Sequence, residues 1–180
     1  TNMKNLEALR ILRSGKQEPV RITFNNVRLT RELAEKITKN LDMSPGEFEV
    51  ALINFAMTNQ YGFNKDNVMT IFIPNTYEVY YNIAPEALIK RMYNEYENFW
   101  NEERNGKAKD SGLTPIEVSI LASIVQAETI KEEEASLVAS LYINRLKKGM
   151  PLQADPTLKF ALGDFTIKRI LNVHKEIESP

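Results

Sequence analysis

Cysteine is absent from this chain of 180 residues, and histidine and tryptophan occur once each. Without cysteine there is no disulfide framework, no thiolate nucleophile and no cysteine-ligated zinc. A multi-histidine metal site or a serine–histidine pair would rest on His174 alone. No sign of charge prevails either: 23 basic residues stand against 24 acidic ones, a net of −1. That balance argues against a nucleic-acid binder working through a general basic field. No apolar run approaches the roughly 18 residues of a membrane-crossing helix, and no leader-like segment is read at the start. The chain begins at Thr1 rather than at methionine, which reads as a piece of a longer protein. The missing span therefore says nothing about an anchor in the parent, and absent cysteine suits either side of a membrane.

What is present is ordinary globular material, 43% hydrophobic and 26% charged, and the length predicts one to two domains with a real core. Met3, Leu6, Leu9 and Leu12 recur every third residue, a helical stripe closed by Ser14-Gly15. Val20–Phe24 alternates as a strand does, and Leu33, Ala34 and Ile37 predict a helix over about 30–40. Ser44-Pro45-Gly46-Glu47 is a capping box that opens a helix to about Asn59. Residues 67–80 read as extended, with a bend at Pro74, Asn75 and Thr76. A long amphipathic helix is predicted over 85–104, burying Leu88, Ile89, Met92, Tyr93, Tyr96, Phe99 and Trp100, followed by a polar loop over 105–112. A second capping box, Thr114-Pro115-Ile116-Glu117, opens a helix to about Ile130. A further helix covers 132–148, with Leu137, Val138, Leu141, Tyr142 and Leu146 as its apolar stripe and Gly149 as its stop. Asp155-Pro156 reads as the N-cap and first position of a short helix to Leu162, and Ile167, Ile170 and Leu171 give the tail helical spacing. The first half is α+β and the second mostly α.

Glu128 is the most informative position. It continues the stripe of Leu121, Ile124 and Val125, at i+7, i+4 and i+3. A carboxyl group on such a stripe faces a core or a cleft, where desolvation keeps it protonated, as a general acid requires. The alternative is a helix-end glutamate reaching out to solvent. Glu132, Glu133 and Glu134 read as a solvated run complementing a helix dipole. Asn144 and Arg145 either cap carbonyls or bond a polar ligand, and Asp155 is most simply an N-cap. His174 reads as a surface residue. Tyr77, Tyr80 and Tyr81 either stack on sugars or cover a core.

Four strings in order carry a resemblance: FIPNTY (72–77), ASIVQAET (122–129), YINRL (142–146) and LQADPT (152–157). Together they are similar to motifs of the YceG-like endolytic murein transglycosylases, and ALRILRSGK (8–16) resembles the end of the LysM-like module that precedes their catalytic domain. The resemblance implies an α+β chain. Residues 1–42 would be the end of a LysM-like α+β module with a linking helix. Residues 43–180 would be the N-terminal part of a mostly helical, lysozyme-like catalytic domain, truncated at the C-terminus where the family continues. The family pattern usually reads like SIVEKET, so with Gln126 in place of its first glutamate the catalytic role carries over to Glu128 alone. Ala154 stands where the family usually has threonine, so any role of that hydroxyl is lost.

The family's activity is endolytic cleavage of the β-1,4 bond between N-acetylmuramic acid and N-acetylglucosamine in nascent glycan strands, leaving 1,6-anhydromuramic ends. The resemblance implies Glu128 as single acid/base, with Tyr77, Asn144, Gln153 and Asp155 toward the substrate, and neither metal nor cofactor. Its partners would be peptidoglycan strands and cell-wall synthesis enzymes, not nucleic acid. The parent would be anchored in the cytoplasmic membrane, with this region on the extracytoplasmic, periplasmic side. Two rivals stand beside this reading. One is a hydrolytic muramidase with Asp155 as second carboxylate, and the other a glycan-binding module without activity.

Overall fold

Two stretches of alternating residues meet to form a two-stranded sheet. In the computed structural model, which describes residues 5–15 and 17–171, β1 (Val20–Phe24) pairs antiparallel with β2 (Asn75–Val79). Ile22 lies opposite Tyr77, and these two, with Phe24 and Val79, face inward and are buried. The other face is wet. There Arg21 Nε donates to Glu78 Oε1 at 3.0 Å, and the hydroxyls of Thr23 and Thr76 meet at 2.7 Å.

The chain divides into two units, Thr1–Phe99 and Trp100–Pro180. In the first, the sheet accompanies α1 (Asn5–Ser14), α2 (Thr30–Thr38), α3 (Pro45–Thr58) and α4 (Pro85–Phe99). Helix α2 packs on β1 and on α3, and α3 packs on α4. Leu33, Ile37, Phe48, Leu52, Leu88 and Ile89 fill the space between them. The Ser44 capping box forms as its sequence implies: Glu47 N donates to Ser44 Oγ at 3.2 Å, and Ser44 N to Glu47 Oε2 at 2.7 Å.

The division between the two units falls after Phe99, and residue 42, where the resemblance ends its first module, lies within the first unit. Helices α2 and α3 pack together across that point, and Asp42 N donates to the Tyr81 carbonyl at 2.8 Å. Residues on both sides of position 42 therefore share one core. The segment 67–80 is also not wholly extended. Val68–Ile71 forms a 3₁₀ turn that buries Val68 and Ile71, and Asn75 and Thr76 open β2 rather than bend.

The predicted helix over 85–104 stops early, and the predicted polar loop after it is helical. Helix α4 ends at Phe99, which is exposed. Asn101 then caps α5 (Glu102–Ser111), its Oδ1 accepting from Arg104 N at 3.0 Å. A solvated helix needs no apolar stripe when local pairs support it. Lys107 Nζ sits 2.6 Å from Glu103 Oε1 one turn away, and Gly112 closes the helix at φ 82°.

In the second unit α6 (Pro115–Glu128), α7 (Glu132–Lys147) and α8 (Asp155–Leu162) surround a small core of Leu121, Val125, Tyr142 and Ala154. The three residues 129–131 join α6 to α7 as a tight helical hairpin. The stripe of α7 is offset from the predicted one. Ala135, Val138, Ala139, Tyr142 and Ile143 turn to the core at i, i+3, i+4, i+7 and i+8, while Leu137, Leu141 and Leu146 are exposed. Beyond Gly163 the described residues are not helical, which corrects the helical tail at least through Leu171. His174 lies outside the described residues. The whole is α+β: mostly helical, with a single two-stranded sheet among the described residues.

Candidate active site

Helix α6 is aimed by its own apolar residues. Leu121 and Val125 enter the core, and Glu128, the last residue of the helix, projects one turn further on. There the stripe runs out, because Thr129 turns extended at φ −138° and ψ 140°. Glu128 is therefore exposed, not enclosed by apolar neighbours as its spacing predicts. The turn that follows is tied by side chains. Thr129 Oγ1 accepts from Lys131 N and donates to Glu134 Oε2, both at 3.1 Å, and Lys131 Nζ reaches Glu134 Oε1 at 2.8 Å. Of the glutamate run, Glu134 thus fixes the turn, while Glu132 and Glu133 stand in solvent.

The partner of Glu128 comes from α7. Tyr142 Oη donates to Glu128 Oε1 at 3.0 Å, and among the described residues it is the one hydrogen-bond partner of that carboxylate. Tyr142 is 5% exposed, its ring sharing the core with Leu121, Val125 and Ala154. Burial pushes its phenol up to about 12, the bond to Glu128 and the charge of Glu128 adding to the effect. Arg145 opposes this rise, and Asp155 contributes to it. The tyrosine hydroxyl therefore stays protonated and remains a donor. Sequence reasoning placed Tyr142 on an apolar stripe and gave it no further role. The signal available was a hydroxyl on an inward-facing position, which must find an acceptor when buried.

One turn after Tyr142, Arg145 holds the loop that leads into α8. Its Nε donates to the Pro151 carbonyl at 2.8 Å and its Nη2 to Gln153 Oε1 at 2.6 Å. Gln153 is exposed, with its backbone in the left-handed region at φ 54°. Ala154 takes the N-cap position of α8 and is 1% exposed in the core, so Asp155 is not the N-cap. Asp155 stands instead in the first helical turn, where negative charge complements the dipole. The structure thus brings Glu128, Tyr142, Arg145, Gln153 and Asp155 together through α6, α7 and the start of α8.

Asn144 and Tyr77 take no part in these hydrogen bonds. Asn144 is exposed, and its spacing puts it on the face of α7 that carries Leu137 and Leu141, opposite Tyr142. Tyr77 belongs to the core of the first unit. It is 5% exposed, its ring stacks on Phe24 at 5.4 Å, and its hydroxyl donates to the Ile73 carbonyl at 2.6 Å. The burial that raises its phenol also removes it from solvent. Tyr80 and Tyr81 are exposed. Among the described residues no group of three or more histidine, aspartate or glutamate side chains is arranged to hold a metal ion.

Fold and site together define an α+β protein in which a buried tyrosine steadies the exposed carboxylate of Glu128 at the turn of a helical hairpin. The model of the YceG-like family matches residues 1–180, and the chain belongs to that family. The endolytic murein transglycosylase of Bacillus subtilis (strain 168) is 34% identical over 95 residues, 53% of this chain and 26% of that protein. The endolytic murein transglycosylase of Streptococcus pneumoniae serotype 2 is 28% identical over 111 residues, 59% of this chain and 20% of that protein. The chain thus spans about a quarter of one relative and a fifth of the other. The crystal structure of a YceG-like protein from Listeria monocytogenes superposes with a TM-score of 0.61 at 19% identity, covering 99% of this chain and 63% of that one. At that identity the likeness is one of fold.

Proposed function

We propose that this chain carries the acid–base centre of an endolytic peptidoglycan lytic transglycosylase, with Glu128 as the single acid/base. The observation that carries the reading is the Glu128 carboxyl, exposed at the end of α6 and steadied by Tyr142 at 3.0 Å. Membership of the YceG-like family, with relatives named endolytic murein transglycosylases, supports it. The bond cut is the β-1,4 link between N-acetylmuramic acid and N-acetylglucosamine. Glu128 gives its proton to the glycosidic oxygen as the C1–O bond breaks and positive charge develops at the anomeric carbon. The ionised carboxylate then takes the proton of the muramic C6 hydroxyl, whose oxygen closes on C1 to form the 1,6-anhydro ring. The proton count closes without water. The attacking hydroxyl is tethered, and well-oriented intramolecular attack contributes roughly 7–11 kcal/mol. One carboxylate therefore suffices where most glycosidases need two.

Asp155, at the start of α8, and Gln153, held by Arg145, would orient the glycan, and Asn144 would contact it from the outer face of α7. The parent protein would be held in the cytoplasmic membrane, with this region on the extracytoplasmic side where nascent strands and their synthetic enzymes are found. A second reading, a hydrolytic muramidase, would take Asp155 at the start of α8 as its second carboxylate.

The products decide. Purified peptidoglycan is digested with the intact protein and with its Glu128→Gln variant, and the released sugars are identified by mass spectrometry. Anhydromuramic ends from the unmodified protein alone are the expected result. Reducing ends, one water heavier, move the case to the two-carboxylate muramidase. No release by a folded protein leaves a glycan-binding module.

A further inference from the structure

Oxygen atoms of a carboxylate are equivalent until something distinguishes them. At Glu128 the distinction is built into the hairpin. Tyr142 reaches Oε1 at 3.0 Å from a ring wedged among Leu121, Val125 and Ala154, so the hydroxyl approaches from a fixed direction. Thr129, Lys131 and Glu134 tie the turn between the two helices and fix the distance across it.

We infer that Tyr142 is a positioning residue that sorts the two carboxyl oxygens of Glu128: its hydroxyl holds Oε1 as an acceptor, so that Oε2 carries the proton exchanged with the glycan. This rests on the reading of Glu128 as acid/base. With Tyr142 donating, the resting acid is the tautomer with a carbonyl at Oε1 and a hydroxyl at Oε2. The Oε2 proton passes to the glycosidic oxygen as the C1–O bond breaks. When the C6 oxygen bonds to C1, its proton returns to Oε2. Throughout the cycle Tyr142 keeps its own proton, as its burial requires. Two other charged groups act on that hydroxyl, Arg145 from the same helix and Asp155 from α8, and they act in opposite senses.

Removal of the hydrogen bond leaves the two carboxyl oxygens undistinguished, so the acid loses its orientation. A residue that merely filled the core would produce no such effect once its ring was kept.

Tyr142→Phe keeps the ring and deletes the hydroxyl. In the intact protein, assayed on purified glycan strands, kcat is expected to fall about 10- to 100-fold with KM within about twofold. Thermal unfolding should show the variant folded. A second pair of proteins separates this from substrate binding: Glu128→Gln and Glu128→Gln with Tyr142→Phe should bind glycan strands equally well. Unchanged kcat and a change confined to KM each overturn the inference. Product formed by Glu128→Gln alone overturns the reading of Glu128 and is seen before Tyr142 is touched.

Discussion

Gln153 shows how a residue is held where its backbone does not want to be. A non-glycine residue in the left-handed region costs about 1–2 kcal/mol, yet Gln153 sits at φ 54°. Arg145 secures it, gripping both the Gln153 side chain and the Pro151 carbonyl. Gln153→Ala keeps the backbone strain and loses the grip, whereas Gln153→Gly loses the grip and relieves the strain. The glycine variant is therefore expected to be more stable than the alanine variant by about 1 kcal/mol, measured by urea unfolding of the two side by side. Equal midpoints would mean that the strain is relieved by other means. The position was legible only through its motif, since a glutamine carries no local signal for positive φ. Tyr77 was legible as a tyrosine near a bend that either stacks on sugars or covers a core, and the structure puts it in the core. Its fate depends on Phe24, which lies 53 positions away and pairs with it only once the strands have met.

Helices were legible where their ends are chemically marked. Both capping boxes, at Ser44 and Thr114, form with the reciprocal bonds their sequences imply. They also make the fold sensitive to acid. The amide and hydroxyl of Thr114 hold the Glu117 carboxyl below its ordinary value of 4.5, and Ser44 does the same for Glu47. A carboxylate lowered in the fold contributes stability that is complete above its unfolded value and fades as pH falls through the folded one. Stability should therefore decline on acidification from about pH 5 to pH 3. Thr114→Ala should remove about 1 kcal/mol at pH 7 and flatten that decline. Denaturant midpoints followed across the range check both, and a decline unchanged in Thr114→Ala would refute the hydroxyl's share of the Glu117 contribution, the amide being retained. Helix α5 was illegible for the opposite reason. It has one buried residue, Ala108, so hydrophobic spacing had nothing to report. On α7 the small residues Ala135 and Ala139 were overlooked beside conspicuous leucines, so the predicted stripe is offset: Val138 and Tyr142 turn inward, but Leu137, Leu141 and Leu146 do not.

At the scale of the molecule, the two units differ in how much they bury. The first encloses large side chains from the sheet and from α2, α3 and α4, including Phe48, Ile71 and Met92 at less than 2% exposure. The buried residues of the second are Ala108, Leu121, Val125, Tyr142 and Ala154. Local stability follows such burial. Native-state hydrogen exchange should therefore be slowest in α3 and α4 and markedly faster in α7 and α8, and slower exchange in α8 than in α3 would contradict this. The division after Phe99 is not marked in the sequence, because a boundary between cores depends on which distant side chains pack together. The tight turn of residues 129–131 carries one more implication. Glu128 and Tyr142 lie only 14 positions apart, so closing their contact sacrifices little chain entropy, and a growing polypeptide can make it as soon as α7 has emerged. Glu128 and Tyr142 thus meet in a contact local to one helical hairpin, closed without the long-range pairing that the two-stranded sheet requires.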